Sequence, residues 1–504
     1  MTDGYLLGID IGTYSSKGVL VTTEGQIVDS HTVPHGMDIP SPGHFEHDAE
    51  KVWWHDFVEI VRVLLGRSGI EARQILGIGT SGIGVCVLAV DSRGTPLRPA
   101  ILYGIDARAA GQSEYFEKTL KDNSIYAANR KMFGPASPAA KIRWIRDNEP
   151  DVYRRTRWFL PCQSFLVYRL TGRATVDIYS AGGFSALRDE AIAEHVTPVE
   201  RLPETAGSCE RVGGVTAEAA RETGLVEGTP VIAGTTDAAS EALSAGISEP
   251  GNMMLMLGST IFFVVRTARP IDSVRFGSST FLEEGNHVFL GGTSNGASLI
   301  TWFRDRFGER EIEAERAGGE AAYAALARLV RESPPGARGL VVLPYFAGER
   351  TPIGDPHAKG MFFGLSLEHT RADIYRAILE GVTFSIRHNL EAMAGEGLEP
   401  DRIIAVGGGT KNREWLQIIA DACGVELSIP EQQIGASYGD AFMAGVGTGL
   451  FRSVDEIGRW VRIAEIVRPE RPRGHTYDFN YALYRTLYER NRESMHALSE
   501  YLLG

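Results

Sequence analysis

The chain has 504 residues, more than one hydrophobic core usually supports, so its length predicts two domains. Hydrophobic residues make up 43% of the sequence and charged residues 23%, which is typical of an ordinary folded globular protein. The formal net charge of −13 argues against a nucleic-acid partner, because nucleic acids bind basic surfaces.

The sequence also argues against a membrane protein and against a disulfide-stabilised secreted protein. No apolar run approaches the roughly 20 residues of a membrane-spanning helix. The N-terminus, Met-Thr-Asp-Gly-Tyr, lacks the basic and apolar regions of a secretion signal. The cysteines are Cys86, Cys162, Cys209 and Cys423, which are far apart and form no C-x-x-C pair. These features predict a reduced, cytoplasmic protein without a membrane partner.

The first informative segment is a strand, a tight turn and a returning strand. Residues 5–11 are mostly apolar, Gly12 and Thr13 begin the turn, and Lys17 precedes the apolar residues 18–21. Turns of Gly, Ser and Thr present backbone N–H groups and hydroxyls that suit phosphate oxygens. Asp10 is placed to hold Mg²⁺, and Lys17 to neutralise phosphate charge. The alternative interpretation is an Asp that ends a strand and a Lys on a hairpin.

Two motifs in the next part of the chain favour other functions but have weak support. Gly77 to Gly82 match the G-x-G-x-x-G pattern of dinucleotide-binding proteins. No acidic residue ends a second strand about twenty residues later, and residues 83–90 have the pattern of a strand, which argues against a dehydrogenase. The sequence His44-Phe45-Glu46-His47-Asp48 contains metal-ligand residue types, but adjacent residues rarely converge on one ion, so a surface loop is predicted there.

A second carboxylate follows a short apolar strand in the middle of the chain. Residues 231–233 lead into Gly234-Thr235-Thr236-Asp237, and a segment of small residues with a helical pattern comes next. Phosphoryl transfer to a hydroxyl group requires a carboxylate that accepts the proton of the alcohol, and Asp237 is a candidate. In isolation, an ordinary helix N-cap is the simpler interpretation of Asp237.

The strand, turn and strand pattern recurs half a chain later. Residues 253–257 are apolar, Gly258-Ser259-Thr260 form a turn, and residues 261–265 return. The recurrence predicts a duplicated architecture with domains at residues 1–247 and 248–504, in which the two turns face each other and hold a triphosphate. Gly292 to Gly296 also match the G-x-S-x-G pattern of hydrolases, but no convincing acid and histidine follow.

The C-terminal part of the chain carries clear helix signals. Thr370 and Asp373 have the spacing of a capping box. Residues 403–406 form a short apolar strand that leads into Gly407-Gly408-Gly409, and Asn412 is placed to cap a helix over residues 413–423. A terminal amphipathic helix is predicted over residues 477–503.

Taken together, these segments resemble the FGGY family of carbohydrate kinases over nearly the whole chain. The motifs that carry the resemblance are Gly8 to Thr13 with Lys17, residues 42–48 with Trp53 and Trp54, Asp106-Ala107-Arg108, Arg169 to Gly172, Gly234 to Asp237, Gly258 to Thr260, residues 344–352 (P-Y-F-A-G-E-R-T-P) and Gly407 to Asn412. The resemblance implies an α/β, two-domain actin-like (ribonuclease H-like) fold with duplicated mixed sheets and an interdomain cleft for nucleotide and sugar.

The resemblance also implies roles for individual residues. Asp237 acts as the catalytic base, and Asp10, the second catalytic residue, organises Mg²⁺. The residues expected to bind ATP are Gly12, Thr13, Lys17, Gly258, Ser259, Thr260, Gly296, Gly407, Gly408, Gly409 and Asn412. The residues expected to bind the substrate are Gly84, Val85, Asp106, Arg108 and Asp237. ATP and Mg²⁺ are therefore the expected cofactors.

The predicted activity is ATP-dependent phosphorylation of a hydroxyl group on a small carbohydrate, such as a pentulose. Xylulokinases, the members most similar in pattern, have Met-His where this chain has Gly84-Val85, and L-W-N-D-x-R where it has the longer segment 102–108. These differences change the wall of the sugar pocket, which sets specificity. A polyol kinase of the glycerol type, and an actin-like ATPase or regulatory protein without sugar transfer, remain alternatives. Family members are often dimers, so the resemblance is compatible with a homodimer.

Overall fold

The protein is described by a computed structural model that covers residues 4–503, including their side chains except at residues 471–474 and 503. Residues 1–3, on which the argument against a secretion signal partly rests, lie outside the described residues. Within residues 4–503, no helix is long and apolar enough to cross a membrane.

Strands and helices alternate along the chain. The strands are β1 (Tyr5–Ile11), β2 (Ser15–Thr22), β3 (Ile27–Pro34), β4 (Glu46–His47), β5 (Ile75–Gly82), β6 (Leu88–Val90), β7 (Ala100–Ile101), β8 (Trp158–Leu160), β9 (Thr175–Asp177), β10 (Glu204–Ala206), β11 (Arg211–Gly214), β12 (Pro230–Ile232), β13 (Thr235–Thr236), β14 (Asn252–Leu257), β15 (Ile261–Thr267), β16 (Gly277–Thr280), β17 (His287–Gly292), β18 (Val341–Leu343), β19 (Met361–Phe363), β20 (Arg402–Val406), β21 (Leu427–Pro430) and β22 (Ile463–Val467).

The α-helices are α1 (His55–Ser68), α2 (Ala110–Leu120), α3 (Ser124–Ala128), α4 (Pro138–Asn148), α5 (Pro150–Arg155), α6 (Cys162–Thr171), α7 (Ile178–Ala181), α8 (Glu190–Ala193), α9 (Ala217–Thr223), α10 (Asp237–Ser244), α11 (Ala297–Phe307), α12 (Glu309–Arg316), α13 (Ala322–Leu329), α14 (Arg371–Ala394), α15 (Arg413–Cys423), α16 (Ala436–Gly447) and α17 (Arg471–Leu503).

The chain forms two compact units. The first, unit 1, comprises the chain up to Ser244 together with Ser279–Asn286 and Ile434–Trp460. The second, unit 2, comprises Ala245–Ser278, His287–Gln433 and the chain from Val461 onward. A functional division of the chain between residues 247 and 248 stays a prediction.

Unit 1 is built on a mixed sheet with the strand order β11-β12-β5-β1-β2-β3, and β13 also pairs with β5. β1 is antiparallel to β2 and parallel to β5. Helix α16 packs on β1 and β5, and two glycines permit its approach. A Cβ atom at Gly8 would lie 1.9 Å from the carbonyl oxygen of Ser437, and one at Gly79 would lie 2.1 Å from that of Asp440. Helix α16 therefore packs directly against the backbone of the sheet.

Unit 2 repeats the arrangement. Its sheet has the order β17-β15-β14-β20-β21-β22, with β16 at the edge beside β17. β14 is antiparallel to β15 and parallel to β20, as β1 is to β2 and β5. The main apolar core lies between this sheet and helices that include α14, where Ile378, Val382 and Ile386 are buried. The predicted α/β fold with two mixed sheets is confirmed.

Most of the predicted elements are confirmed in position, with shifts at their ends. Asn412 caps α15 by accepting from the backbone N–H of Trp415, and Gly424 ends the helix at a φ of 69°. The strand pattern of residues 83–90 corresponds to a strand at Leu88–Val90 only. Residues 110–148 contain α2, α3, a 3₁₀ turn and α4 in succession. The terminal helix begins at Arg471, earlier than predicted.

The prediction of a surface loop around residues 44–48 is wrong. Glu46 and His47 form β4, which pairs with β7, and both side chains are buried. Glu46 is buried because it accepts hydrogen bonds from Arg98 and Arg108, and His47 because it accepts one from the indole of Trp53. Polarity alone predicted exposure, whereas Glu46 and the Nδ1 atom of His47 find hydrogen-bond partners inside the protein.

The capping box of α14 is suited to a stability test. The Thr370 hydroxyl accepts from the backbone N–H of Asp373, whose carboxylate in turn accepts from the N–H of Thr370. We expect Thr370→Ala to lower the free energy of unfolding by about 1 kcal/mol, because a helix N–H loses its partner. Urea denaturation measures the change. Thr486→Ala within α17 is the control, since its hydroxyl bonds only to the carbonyl of Ala482 and its loss leaves no N–H unpaired. Equal losses in both variants would contradict the capping role.

Candidate active site

Two carboxylates meet where strands of the unit 1 sheet end. Asp10 in β1 is paired with Lys17 in β2 and with Ser81 in β5. On the other side of β5, Thr235 in β13 is also paired with Ser81, and Asp237 follows as the first residue of α10. The strand register therefore brings the carboxylates of Asp10 and Asp237 close together from distant parts of the chain.

The electrostatics of this region reflect burial of several acids together. Burial, together with the charge of Asp10, raises the pKa of Asp237 to about 8. Burial raises the pKa of Asp10 to about 6, against the opposing effects of the Ser81 hydrogen bond and the charge of Lys17. One turn into α10, burial and the charge of Asp10 raise the pKa of Glu241 to about 7. Buried like charges destabilise one another, so the cluster favours protons or a cation.

Sequence reasoning missed a further acid, Asp440 on α16. The Ser81 hydroxyl lies 2.7 Å from a carboxyl oxygen of Asp440 and 3.0 Å from one of Asp10. A serine has a single proton to donate, so one of the two carboxyl groups must itself be protonated for both bonds to form. Burial and the charge of Asp10 raise the pKa of Asp440, which fits Asp440 as the protonated partner. The only sequence signal is an acid within the small residues of 435–441.

Lys17 and Thr13 lie on the first turn as predicted. The Lys17 amine donates to the carbonyl oxygen of Ile434 at 2.9 Å, and its charge opposes the rise in the pKa of Glu241. The Thr13 hydroxyl lies 3.2 Å from the hydroxyl of Tyr103. Gly12 closes the turn by donating its N–H to the carbonyl of Ser15.

The predicted substrate residues fall into two groups. Gly84 lies close to Thr236, the residue before Asp237. A Cβ atom at Gly84 would lie only 2.2 Å from the methyl group of Thr236. Val85 follows it and is half-buried. Asp106 and Arg108 instead bind each other: the guanidinium Nη2 donates to the Asp106 carboxylate at 2.8 Å.

The Asp106–Arg108 pair is also anchored on both sides. Arg108 donates to Glu46 at 2.7 Å, and Asp106 accepts from the backbone N–H of Phe45 at 2.7 Å. The guanidinium of Arg108 also lies over the ring of Trp144, 5.0 Å from its centroid. These contacts give the pair a structural role, and direct sugar binding by it stays a prediction.

A buried lysine, also missed from the sequence, holds the segment before Asp106. The Lys141 amine on α4 donates to the carbonyl oxygens of Leu102 at 2.5 Å and Tyr103 at 2.7 Å. Burial lowers the pKa of Lys141 to about 8. Burial and the charge of Asp237 raise the pKa of Tyr103, whose hydroxyl reaches Thr13. Lys141 thus fixes the backbone that presents Tyr103 to the first turn.

In unit 2, the second turn borders a cavity of about 630 Å³. Five of the residues expected to bind nucleotide line it: Gly258, Ser259, Gly408, Gly409 and Asn412. Apolar and aromatic side chains complete the wall, including Leu257, Ile300, Tyr323 and Tyr375. An apolar cavity with a few polar groups is typical of a binding site for a planar organic ligand.

The other expected nucleotide residues of unit 2 lie beside this cavity. A Cβ atom at Gly296 would lie 2.8 Å from the backbone of Thr260, and one at Gly407 would lie 3.1 Å from the carbonyl oxygen of Leu257. Both glycines therefore allow backbone segments to meet at the second turn. Ser294, the centre of the G-x-S-x-G match, donates its N–H to the buried carboxylate of Glu349 at 2.6 Å. Burial raises the pKa of Glu349 to about 7.

Two motifs of the sequence do not form the sites that their patterns suggest. Gly77 to Gly82 lie entirely within β5, with no helix starting at the last glycine, which argues against a dinucleotide-binding turn. Within the described part of the chain, no group of three or more His, Cys, Asp or Glu residues has the arrangement of a metal site. Mg²⁺ is usually held by only one or two carboxylates together with substrate phosphates.

Comparison with known proteins identifies the class. The model of the FGGY family of carbohydrate kinases matches residues 5–244 with its N-terminal domain and residues 253–448 with its C-terminal domain. The chain belongs to this family, and it is a carbohydrate kinase that uses ATP. This membership removes the support for a dehydrogenase and for an ATPase without sugar transfer.

Several relatives match over nearly their whole length. A xylulose kinase from Staphylococcus xylosus is 27% identical over 96% of this chain and 100% of its own. The crystal structure of xylulose kinase from Rhodospirillum rubrum has a TM-score of 0.88 and 30% identity, and the match covers 98% of this chain and 100% of that one. A gluconokinase from Bacillus subtilis is 26% identical over 90% of this chain and 89% of its own.

The raised pKa of Asp237 predicts an effect on stability. Between pH 4 and pH 8 the folded protein retains a proton on Asp237 that the unfolded chain has released, so this residue lowers stability as pH rises. We expect Asp237→Asn to be more stable than the wild type at pH 8 by more than about 1 kcal/mol, with the gain shrinking towards pH 4. Urea denaturation at several pH values measures it.

Asp29→Asn is the control for this measurement. Its carboxylate is paired with Arg67, which holds the pKa of Asp29 below its usual value, so its removal gives no gain at pH 8. A gain for Asp237→Asn that is the same at all pH values would contradict the assignment of the effect to the proton on Asp237.

Proposed function

We propose that this kinase transfers the γ-phosphate of ATP to a hydroxyl group of a small ketose, a pentulose of the xylulose type. The observation that carries the proposal is the half-buried pair Asp10 and Asp237, brought together by their shared neighbour β5. The substrate class is supported by relatives of full length that are named xylulose kinases. The cytoplasmic location, a homodimer and the absence of nucleic-acid and membrane partners stay predictions.

Asp237 is proposed as the general base. A base must be ionised to accept a proton, and burial beside Asp10 raises the pKa of Asp237 to about 8 in the protein alone. A cation bound at the cluster lowers this pKa towards the operating pH, where a base works best. Ionised Asp237 then takes the proton of the substrate hydroxyl as the oxygen attacks the γ-phosphorus, the bond from that phosphorus to the β–γ bridging oxygen breaks, and ADP leaves. Nearby, the buried hydroxyl of Thr236 has no hydrogen-bond partner among the described residues, so it is available to the substrate.

Asp10 is proposed to organise Mg²⁺, and the residues present fit this role. Asp10, Asp237 and Glu241 are half-buried close together, and the charge of Lys17 opposes the raised pKa of both Asp10 and Glu241, so bound positive charge stabilises the cluster. When bound with ATP, Mg²⁺ neutralises phosphate charge and polarises the phosphoryl oxygens. In the protein, Ser81 orients the Asp10 carboxylate through its hydroxyl.

The two turns are proposed to contact the phosphates of the nucleotide. The proposed donors for phosphate oxygens are Gly12, Thr13 and Lys17 on the first turn and Ser259 and Thr260 on the second. The cavity of about 630 Å³ in unit 2 is proposed to hold adenosine. Its walls combine apolar side chains with the polar end of Asn412, as a purine requires.

A substrate panel tests the proposed function. The purified protein with Mg-ATP is assayed for ADP release against pentuloses, hexuloses, polyols and aldoses, one compound at a time. We expect the highest kcat/KM with a pentulose, because the proposed base must meet one hydroxyl in a pocket shaped for the rest of the sugar. Highest activity with a polyol, or none with any pentulose, would overturn the proposed substrate class and leave the family assignment intact.

Asp237→Asn tests the proposed base. We expect kcat to fall by about 100- to 10,000-fold, because an amide cannot accept the hydroxyl proton, while the affinity for ATP is unchanged. Stopped assays with labelled ATP and calorimetry measure the two quantities. Thr260→Val is the contrast: it should weaken ATP use much more than sugar binding. Retained turnover in Asp237→Asn would remove the residue from the base role.

A further inference from the structure

A second cavity of unit 2 has no part in the proposed reaction. Its volume is about 210 Å³, one third of that of the nucleotide cavity, and the two share no lining residue. Arg275, His388 and Arg485 contribute basic side chains to its wall. They come from the segment between β15 and β16, from α14 and from α17, so tertiary structure brings them together.

The two arginines are only partly paired. The Nε of Arg275 lies 3.2 Å from Glu396, and Nη1 of Arg485 lies 3.3 Å from the hydroxyl of Tyr481 and 3.4 Å from Glu391. Among the described residues, the terminal amino groups of Arg275 and the Nε and Nη2 of Arg485 have no hydrogen-bond partner. Guanidinium groups with free donors at a cavity are suited to an anion.

The positive charges of both arginines act on the imidazole of His388. Burial and the positive charges of Arg485 and Arg275 lower the pKa of His388 to about 3. The ring packs edge-on against Tyr484 and has no hydrogen-bond partner among the described residues. Glu489, the acid that also lines the cavity, is exposed, and its charge and that of Glu391 act on Arg485. The wall of the cavity thus combines two guanidinium groups that have unused donors with a positive potential at His388.

We propose that this cavity binds a small anion that carries a phosphate group, either inorganic phosphate or a small phosphate ester. Two planar guanidinium groups and an imidazole from three elements line the cavity, and the guanidinium fork matches the oxygen geometry of a phosphate group. The volume of about 210 Å³ is sufficient for a phosphate ion, whereas a nucleotide requires a cavity closer in size to the one of about 630 Å³ beside the second turn.

The cavity is connected to the nucleotide side of unit 2 by a short chain segment. Pro352 and Ile353 line the cavity and come three and four residues after Glu349, which accepts from the N–H of Ser294. Asn389, next to His388, donates to the carbonyl oxygen of Thr351 at 3.0 Å. Ser294 precedes Gly296, which contacts the Gly258 turn. The chain path from this cavity to the second turn is therefore short.

Calorimetric titration of the full chain with inorganic phosphate, at constant ionic strength set by chloride, tests the proposal. We expect saturable binding to the wild type and at least roughly tenfold weaker binding to the Arg275→Gln, Arg485→Gln double variant, because charged donors are lost. Arg468→Gln is the matched control, since it breaks a comparable exposed pair with Glu426 in the same unit. A titration with glycerol 3-phosphate separates an ester ligand from free phosphate.

Two results would overturn the proposal: no binding of phosphate to the wild type, or equal binding to the wild type and the double variant. Binding of phosphate at the residues proposed to hold ATP is a separate event. We expect Thr260→Val to remove that binding, whereas this substitution leaves the second cavity intact. Arg485→Gln alone disturbs only bonds of 3.3 Å or longer and is measured in parallel. Its unfolding temperature in chloride shows whether the fold is retained, and a loss of phosphate binding in that folded variant supports the proposal.

Discussion

The constraint on which unit 1 depends is the burial of several acids in one place. Asp10, Asp237 and Glu241 are half-buried, Asp440 is buried, and each has a raised pKa because burial disfavours its charged form. Ionising all of them together would cost far more than the fold can supply, so protons or cations must compensate. In the proposed reaction, this arrangement supplies carboxylates whose pKa values respond to a bound cation and to substrate.

Close packing of the backbone around this cluster limits the access of water to it. Glycines in β1 and β5 let α16 lie directly on the sheet, so Asp440 reaches Ser81 from above the strands. Elsewhere in unit 1, Lys141 donates to the carbonyl oxygens of Leu102 and Tyr103. Small residues and one buried cation thus replace the water that polar groups normally require.

Local patterns predicted the fold and much of the candidate site. The two strand-turn-strand segments, the Gly407 loop and the cap of α15 depend on residues close in sequence, so composition and spacing were sufficient. Asp440, Lys141 and Tyr103 were missed because their roles depend on contacts between segments far apart in the chain. The exposure of Glu46 was predicted wrongly for the same reason: its partner Arg108 is 62 residues away.

The composition of unit 1 has a consequence for synthesis of the protein. Helix α16, from residues 436 to 447, belongs to unit 1 and covers β1, which is among the first elements to be translated. Until the ribosome has translated α16, the face of the sheet that this helix covers stays exposed to solvent. During that time the nascent chain is prone to aggregation and can bind chaperones. Premature termination before residue 436 would therefore damage the beginning of the protein as well as its end.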